Sequence, residues 1–532
     1  MFDHLRISDI AAALTLFFAS RAVIQRLTTK GPMLWPFLGI IPTLFTNITR
    51  TFTYHGISFS GYAGVMTCDP ANIEYMLNKR FTNFPKGKYY RERFADFLGS
   101  GIFNADDQVW KEQRRAAAVG MHSSRFVEYS AQITTDLVHC KLLRLIEKVM
   151  ENKGCVDLQD LLLRFTFDNI CTAAFGVDPG CLAAGVPVIP FAKAFEEATE
   201  LTLFQFIVPP FVLDVSWEKK LKIAVRTVYE FAEKVVSDRR ASGVNERADL
   251  LSQLMQVYDV SNDLETCFSD VFLKDLCISF ILAGRDTSSV ALAWFFWLLH
   301  THPTVEDHIL IEINTIIKQR SIGPRDQTDV VFSIDELKKM QYLQAAVSES
   351  LRLYPSVPLE FKEAIDDDIF PDGTFVKKGA RVIYSLYSMA RMESIWGKDC
   401  KEFRPERWLR DGMLISENQF KYAPGPRLCI GKKFAYMQMK MVAANILLRY
   451  HVEVVPGQEV VPKMTTTLYM KNGLKVRFKP RDDIHVGEVT TISFPSILGN
   501  VVISCFFEHH ATTSDPRLKI HPAVLLNNGG SF

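Results

Sequence analysis

The sequence lacks any cysteine pattern typical of a disulfide scaffold or a zinc site. Its 10 cysteines are scattered over 532 residues, without a C-x-x-C pair or a dense cluster. Such spacing favours reduced thiols in a protein that faces the cytosol. Most of these cysteines are expected to be small buried residues, and Cys429 is the exception because of its neighbours.

Charge of one sign, linkers and repeats are also scarce. The chain has 61 Lys and Arg residues against 60 Asp and Glu residues, a net charge of +1. Nucleic acid is thereby excluded as a partner, because phosphate binding requires a concentrated basic surface. No linker rich in Pro, Gly or Ser and no internal repeat divides the chain. We therefore expect a mainly α fold with a small β part, as one large domain over residues 31–480.

A long apolar run is missing from the N-terminus. The run over residues 10–19 is short for a full membrane span, and Arg21, Arg26 and Lys30 follow it. It has no small-residue cleavage site, which disfavours a cleaved signal peptide. The pattern predicts a membrane anchor and hinge over residues 1–30, or a helix lying on the membrane surface, with the rest of the chain on the cytoplasmic side.

Helical patterning dominates residues 107–302. Its longest stretch, residues 270–300, is apolar on nearly all sides, which is typical either of a membrane span or of a buried central helix. Arg285 and Asp286 lie at its middle, where charges are costly in lipid, so we expect a buried central helix. The remaining patterns predict a strand and helix over 66–81, a capped helix over 333–353, strands over 369–387, a helix from Cys429 to 450 and strands to 478.

The segment GPRLCIG, residues 425–431, leads directly into the last predicted helix. Gly425 and Gly431 let the backbone wrap around the Cys429 sulfur, and the N–H groups that follow can point at it. Arg427 adds a fixed positive charge suited to a carboxylate. The loop therefore predicts a stabilised thiolate, with an inert core cysteine as the alternative.

This loop resembles the haem-binding loop of the cytochrome P-450 superfamily. The resemblance implies haem b (iron protoporphyrin IX) with Cys429 as the axial thiolate ligand, Gly425 and Gly431 beside it, and Arg427 on a haem propionate. In that superfamily the thiolate pushes electron density onto the iron and favours O–O cleavage. The implied co-substrates are NADPH and O₂.

A second motif, AGRDTS over residues 283–288, lies midway along the predicted central helix. Glycine there costs about 1 kcal/mol relative to alanine, and we interpret Ala283 and Gly284 as making room for the macrocycle and O₂. Thr287 lies one turn from Ala283 on the same face. The resemblance implies proton delivery by Asp286 and hydrogen bonding to dioxygen by Thr287, both catalytic. A kink in a Ser/Thr-rich helix is the alternative.

Two further motifs complete the superfamily's order. Glu349 and Arg352 are i,i+3 neighbours on the capped helix, and Arg407 follows in a later loop. Alone the pair is an ordinary surface ion pair, whereas the resemblance implies a buried network that supports the cysteine loop. Trp110 and Arg114 lie one turn apart, and the resemblance implies that both donate to haem propionates. An exposed helix face is the alternative for this last pair.

The expected substrate class comes from a resemblance to plant fatty-acid ω-hydroxylases. The segments FPKG (84–87), GIFNAD (101–106) and LYPSVP (353–358) carry it, within a similarity that extends over residues 30–480. It implies hydroxylation of a fatty acid at the terminal carbon, with electrons from an NADPH-cytochrome reductase. It also implies attachment to lipid of the endoplasmic reticulum membrane, facing the cytoplasm. In-chain hydroxylation of a fatty acid or alkane is the alternative.

The chain also departs from the family's pattern. Tyr422 stands where the family has a Phe, and Pro424 replaces a small residue in a shortened run before the cysteine. The stretch 46–55 is shortened, and the tail 481–532 resembles nothing in the family. A catalytically impaired haem-binding protein therefore stays an alternative. A haem-thiolate isomerase or dehydratase is disfavoured, because such enzymes do not need the acid–alcohol pair of the second motif.

Overall fold

The computed structural model describes residues 53–57, 63–183, 187, 189–207, 215–243, 247–260, 269–320, 330–415 and 425–481. The predictions for the anchor, for Tyr422 and Pro424, and for the tail beyond residue 481 lie outside these described residues. Most of the shortened stretch 46–55 lies outside them too.

Helices make up most of the described chain, which confirms the mainly α prediction. They are α1 Pro70–Glu74, α2 Gly87–Leu98, α3 Asp107–His122, α4 Ser124–Leu137, α5 Leu143–Glu151, α6 Leu158–Phe175, α7 Pro190–Ile207, α8 Val215–Ser242, α9 Leu250–Val260, α10 Asp270–Thr301, α11 Pro303–Lys318, α12 Ile334–Lys339, α13 Gln341–Leu353, α14 Leu386–Met389, α15 Glu393–Trp396 and α16 Lys432–Arg449.

The strands are short and are grouped in small sheets. They are β1 Thr53–Ile57, β2 Ala63–Thr67, β3 Val156–Asp157, β4 Leu359–Glu363, β5 Asp368–Ile369, β6 Phe375–Val376, β7 Arg381–Ser385, β8 Leu409–Arg410, β9 Met413–Leu414, β10 Tyr450–Val454, β11 Pro462–Met464, β12 Leu468–Met470 and β13 Lys475–Pro480. One sheet has the order β1-β2-β7-β4, with β2 and β7 parallel, and another has the order β10-β13-β3. The pairs β5-β6, β8-β9 and β11-β12 are antiparallel.

The helix α10 is the buried central helix that the sequence predicts. It begins after Ser269, whose side chain accepts the N–H of Phe272, and it packs along α6. Within the described part of the chain it alone is long and apolar enough to cross a membrane, but 78% of its most apolar window is buried inside the protein. Arg285 and Asp286 at its centre are therefore surrounded by protein.

The single helix predicted over 333–353 is wrong, because the structure divides it into α12 and α13 at Met340. The predicted capping box at Ser333 does form. The break buries the Met340 side chain completely. It is stabilised from other helices: the carboxylate of Glu312 accepts two N–H groups at the start of α13, at 2.7 and 2.9 Å, and Lys440 Nζ donates to a carbonyl near the end of α12, at 2.6 Å.

The strands predicted over 369–387 form as β5, β6 and β7, although Tyr387 lies in α14. Strand β4 was not predicted. It pairs antiparallel with β7, so that Lys362 lies opposite Val382. Lys362 and its charged neighbours interrupt the apolar pattern that would predict a buried strand. This lysine belongs to the site described below.

Candidate active site

The Cys429 loop is built around close backbone approaches. Cys429 lies three residues before α16, and the N–H of Gly431, the N-cap residue, points at its sulfur. A Cβ at Gly431 would lie 3.3 Å from Met121 Cε, and one at Gly425 would lie 2.6 Å from the backbone oxygen of Leu77. Glycine at 425 is therefore required by packing against a distant segment, in addition to any effect on the sulfur.

The surroundings of Cys429 shift the pKa of its thiol in two opposite directions. The side chain is exposed to solvent, yet the protein around it raises the pKa of the thiol above its usual value. The Gly431 N–H and the charges of Lys432 and Arg114 act in the opposite direction. Among the described residues no group of three His, Cys, Asp or Glu side chains can hold a metal. An iron held here would have this sulfur as its protein ligand, since the thiolate is the metal-binding form.

The structure brings Trp110, Arg114 and Arg427 together beside the cysteine loop. The guanidinium of Arg427 lies 4.4 Å from the centre of the Trp110 ring, and that of Arg114 lies 5.7 Å from it. Arg114 also donates to the backbone oxygen of Leu428, next to the cysteine. Two segments that are far apart in sequence thus form one cationic and aromatic group at the loop.

Arg427 has a partner that the sequence did not predict. Its Nη2 donates to Asp106 Oδ1 at 2.6 Å and to the Ala105 oxygen at 3.0 Å. Asp106 in turn accepts the N–H groups of Lys86 and Gly87 at the start of α2. The Nε of Arg427 is buried and has no hydrogen-bond partner among the described residues. This donor is therefore still available to an anion.

Lys362 is a second residue that sequence reasoning missed. It is 3% exposed, and burial, together with the charges of Lys86 and Arg427, lowers its pKa to about 7. Lys86 is paired with Glu360 at 2.7 Å, and Arg427 is paired with Asp106. Within this cluster three basic side chains face two carboxylates, so Lys362 has no carboxylate of its own and its protonated form lacks a counter-charge. A haem propionate fits the cluster, because it would supply the missing negative charge.

The second motif lies at the middle of α10. Thr287 Oγ1 donates to the Ala283 oxygen at 2.6 Å, and the backbone oxygen of Thr287 accepts from Ser356 Oγ at 2.7 Å. A Cβ on Gly284 would lie 2.5 Å from the Ile170 side chain of α6. The space beside this glycine is therefore filled by the neighbouring helix, and close helix packing explains the glycine better than room for a macrocycle does.

Asp286 is fully buried beside that threonine. Its Oδ1 accepts from Arg285 Nη1 at 2.7 Å. Burial raises the pKa of Asp286 above its usual value, while Arg285 and the hydroxyl of Tyr469 lower it. The motif thus presents a buried acid and an alcohol on consecutive residues of the central helix.

The predicted charge network forms between α13 and the segment that carries Arg407. Glu349 and Arg352 share two hydrogen bonds of 2.8 Å, and both side chains are fully buried. Arg407 Nε lies 3.3 Å from Glu349 Oε1, and Trp408 Nε1 donates to Oε2 at 2.8 Å. Arg407 also pairs with Asp399. The carboxylate of Glu349 is thus held by three side chains from two segments.

Comparison with known proteins agrees with this geometry. The family model described as Cytochrome P450 matches residues 30–479. The chain is 47% identical over 521 residues to Cytochrome P450 86B1 of Arabidopsis thaliana, covering 92% of each chain. It is 39% identical to Cytochrome P450 94A2 of Vicia sativa, over 80% of this chain and 83% of the relative. It is 32% identical to Noroxomaritidine synthase 1 of Narcissus pseudonarcissus, over 90% of this chain and 97% of the relative.

These matches span the cysteine loop, the central helix and the charge network in one alignment. They are the regions that the structure brings together. Members of the matched family hold haem through a cysteine thiolate. The chain therefore belongs to the cytochrome P450 family of monooxygenases.

Proposed function

We propose that this protein hydroxylates fatty acids at the terminal carbon, with O₂ and with electrons from NADPH through a reductase. The observation that carries the haem-thiolate assignment is the Cys429 sulfur, which faces the Gly431 N–H at the start of α16 beside a cluster of basic side chains. That arrangement suits a metal-bound thiolate and an anionic macrocycle.

The residues around the cysteine loop each have a role in holding the cofactor. Cys429 would ligate the haem iron, and Arg427, Lys362, Trp110 and Arg114 would hold the propionates. When bound, the haem activates O₂ for insertion of one oxygen atom into a C–H bond. Asp106 keeps Arg427 in place while its Nε remains available to the propionate.

The distal residues manage protons. The Thr287 hydroxyl donates to the Ala283 oxygen within its own helix. Its own oxygen keeps lone pairs that can accept a hydrogen bond from another donor. Asp286, which directly precedes Thr287 in the chain, is the buried acid that resupplies protons. Ala283 leaves the helix face beside Thr287 without a bulky side chain.

The fatty-acid substrate is supported by the sequence segments that resemble plant ω-hydroxylases and by the extent of the match to the plant relatives. The phenylalanines themselves say little about a substrate channel. The ring of Phe191 lies 4.0 Å from that of Phe231 in a tilted arrangement and stacks on Phe167 at 5.2 Å, and Phe97 contacts Phe195 at 5.3 Å. These rings pack on one another as core residues.

Saturated fatty acids of about 12 to 18 carbons should shift the ferric haem absorbance toward high spin, because each buried CH₂ contributes about 0.8 kcal/mol. Acids, alcohols and alkanes of equal length should be titrated in parallel, followed by product analysis with a reductase. We expect acids to bind and to be oxidised at the terminal carbon. Tight binding of alkanes without a response to acids would contradict the fatty-acid proposal. Products hydroxylated within the chain would contradict the proposed terminal position.

Thr287→Ala should leave the haem and substrate spectra unchanged while diverting NADPH consumption to peroxide, because the hydroxyl manages protons and does not hold the cofactor. The ratio of product to NADPH measures the effect. Thr301→Ala is a matched control, since Thr301 lies on the same helix and donates to its own helix carbonyls. If Thr287→Ala kept the wild-type ratio, Thr287 would be a structural residue only.

Lys362→Gln should release haem at least about tenfold faster, since a hydrogen bond to a charged group contributes about 1.5–3 kcal/mol. Transfer of haem to an excess of apomyoglobin gives the rate. Lys378→Gln is the matched control, because Lys378 is exposed and pairs with Asp366 at 3.2 Å. Equal release rates for the two variants would show that Lys362 does not hold the propionate.

The partner and the membrane complete the proposal. We assign attachment to the endoplasmic reticulum membrane to residues 1–30, with the catalytic body in the cytoplasm. The reductase docks over the cysteine side through Lys432 and Lys433. Lys433 is exposed and Lys432 is half-buried, whereas Arg427 is directed toward Asp106.

A further inference from the structure

The buried acid Asp286 is held asymmetrically. Its Oδ1 is paired with Arg285 Nη1 at 2.7 Å, and both side chains are buried. Its Oδ2 is also buried but has no hydrogen-bond partner of standard geometry among the described residues. A buried carboxylate oxygen without a partner is costly. One oxygen of the acid is thus fixed and the other is available for exchange of a proton.

Tyr469 approaches this carboxylate from a different part of the fold. It lies on β12, which pairs with β11, and it is 8% exposed. Its hydroxyl interacts with Asp286 without meeting the geometry of a standard hydrogen bond to Oδ2. Burial and the Asp286 charge raise the pKa of Tyr469 well above its usual value. The tyrosine therefore stays protonated, and its hydroxyl keeps a hydrogen beside the carboxylate.

Glu196 reaches the same group from α7. Its carboxylate lies 4.0 Å from Arg285 Nη2, and its side chain is 58% exposed. One turn further along α7, Glu200 pairs with Lys463 at 2.8 Å, and Lys463 lies directly across β11-β12 from Tyr469. The helix α7 and this strand pair are thus joined to each other and to the acid of α10.

We infer that Tyr469 and Glu196 are positioning residues for Asp286: the Tyr469 hydroxyl and the Glu196–Arg285 pair fix the carboxylate so that its Oδ2 is directed to proton transfer beside Thr287. Arg285 bridges a fully buried acid and one that reaches solvent, which connects the interior of α10 with the surface of α7. The inference rests on the proposed function, since it deepens the role given there to the distal acid.

An ordinary structural ion pair would account for Arg285 and Asp286 alone, but not for the other contacts. A pair kept for stability would be expected to satisfy both carboxylate oxygens, because a half-satisfied buried group destabilises the fold. Here the Arg285–Asp286 pair has neighbours on two other elements, Glu196 of α7 and Tyr469 of β12, and one oxygen of Asp286 is left without a standard hydrogen bond.

Tyr469→Phe tests the inference in the full-length haem protein, because it removes the hydroxyl and keeps the ring. We expect the haem spectrum to be unchanged and peroxide formed per NADPH to rise about fivefold, the factor that a change of about 1 kcal/mol in the barrier to proton transfer gives. The solvent isotope effect on NADPH consumption should also change. Tyr450→Phe is the matched control, because Tyr450 is an equally buried tyrosine on β10 whose hydroxyl interacts with Glu147.

A measurement independent of activity is the double-mutant cycle of Tyr469→Phe with Asp286→Asn in urea unfolding. We expect the stability changes to be non-additive, whereas those of Tyr450→Phe with Asp286→Asn should be additive. Glu196→Gln, at a largely exposed side chain, provides a second variant should Tyr469→Phe fold poorly, and it should raise peroxide in the same direction.

The outcomes separate the two levels of the argument. Additive stability changes together with wild-type peroxide yields in Tyr469→Phe and Glu196→Gln would overturn the inference, provided that Thr287→Ala still uncouples the reaction. If Thr287→Ala behaves like the wild type, the proposed distal function itself is wrong, and the positioning roles fall with it.

Discussion

Cys429→Ala is expected to abolish the haem-thiolate spectrum completely. The sulfur lies where the Gly431 N–H and the charges of Lys432 and Arg114 converge. Alanine has no atom that can ligate iron, and no alternative cluster of metal-binding side chains exists among the described residues. The measurement is the absorbance of the dithionite-reduced protein under CO, read for the thiolate band.

Cys155→Ala is the matched control for this experiment. Cys155 is also an exposed free cysteine, and it directly precedes β3, outside the loop of residues 425–431. It should therefore retain the full thiolate band. A thiolate band that persists in Cys429→Ala would overturn the ligand assignment. A shifted band in the wild-type protein would favour the impaired haem binder over the enzyme.

Glu349→Gln is expected to produce the largest loss of stability, about 3–5 kcal/mol, because breaking a buried ion pair leaves an uncompensated charge. Arg352 would then be a fully buried guanidinium without its carboxylate, although it would keep its bonds to the Ala390 and Cys400 oxygens. Arg407 and Trp408 bond different oxygens of Glu349, and the single amide oxygen of Gln cannot replace both. Urea unfolding of the full chain, followed by tryptophan fluorescence, measures the loss.

Asp335→Asn provides the contrast for Glu349→Gln. Asp335 pairs with Lys338 at 2.8 Å and i,i+3 spacing, as Glu349 does with Arg352, but both side chains are largely exposed. Surface pairs of this kind contribute about 0–1 kcal/mol. A loss in Glu349→Gln as small as that in Asp335→Asn would show that the network does not support the fold around the cysteine loop.

The sequence was sufficient for features that depend on near neighbours in the chain. The apolar pattern of residues 270–300 with two central charges predicted a buried central helix, and α10 has that character. The capping box at Ser333 formed because its two hydrogen bonds involve residues three positions apart. The glycines beside Cys429 and the helix that follows it were likewise visible in a local segment. Periodicity and capping act over a few residues, so a single sequence records them.

Only the tertiary structure decided the features that depend on distant segments. The break at Met340 depends on Glu312 and Lys440, which approach from other helices. The Ile170 side chain is what requires glycine at position 284. Lys362 is what gives the cluster near Arg427 one basic side chain more than its carboxylates. Tyr469 meets Asp286 although the two lie on separate elements. The energies of such contacts come from burial and pairing between residues far apart in sequence, and no local pattern encodes which of them will meet.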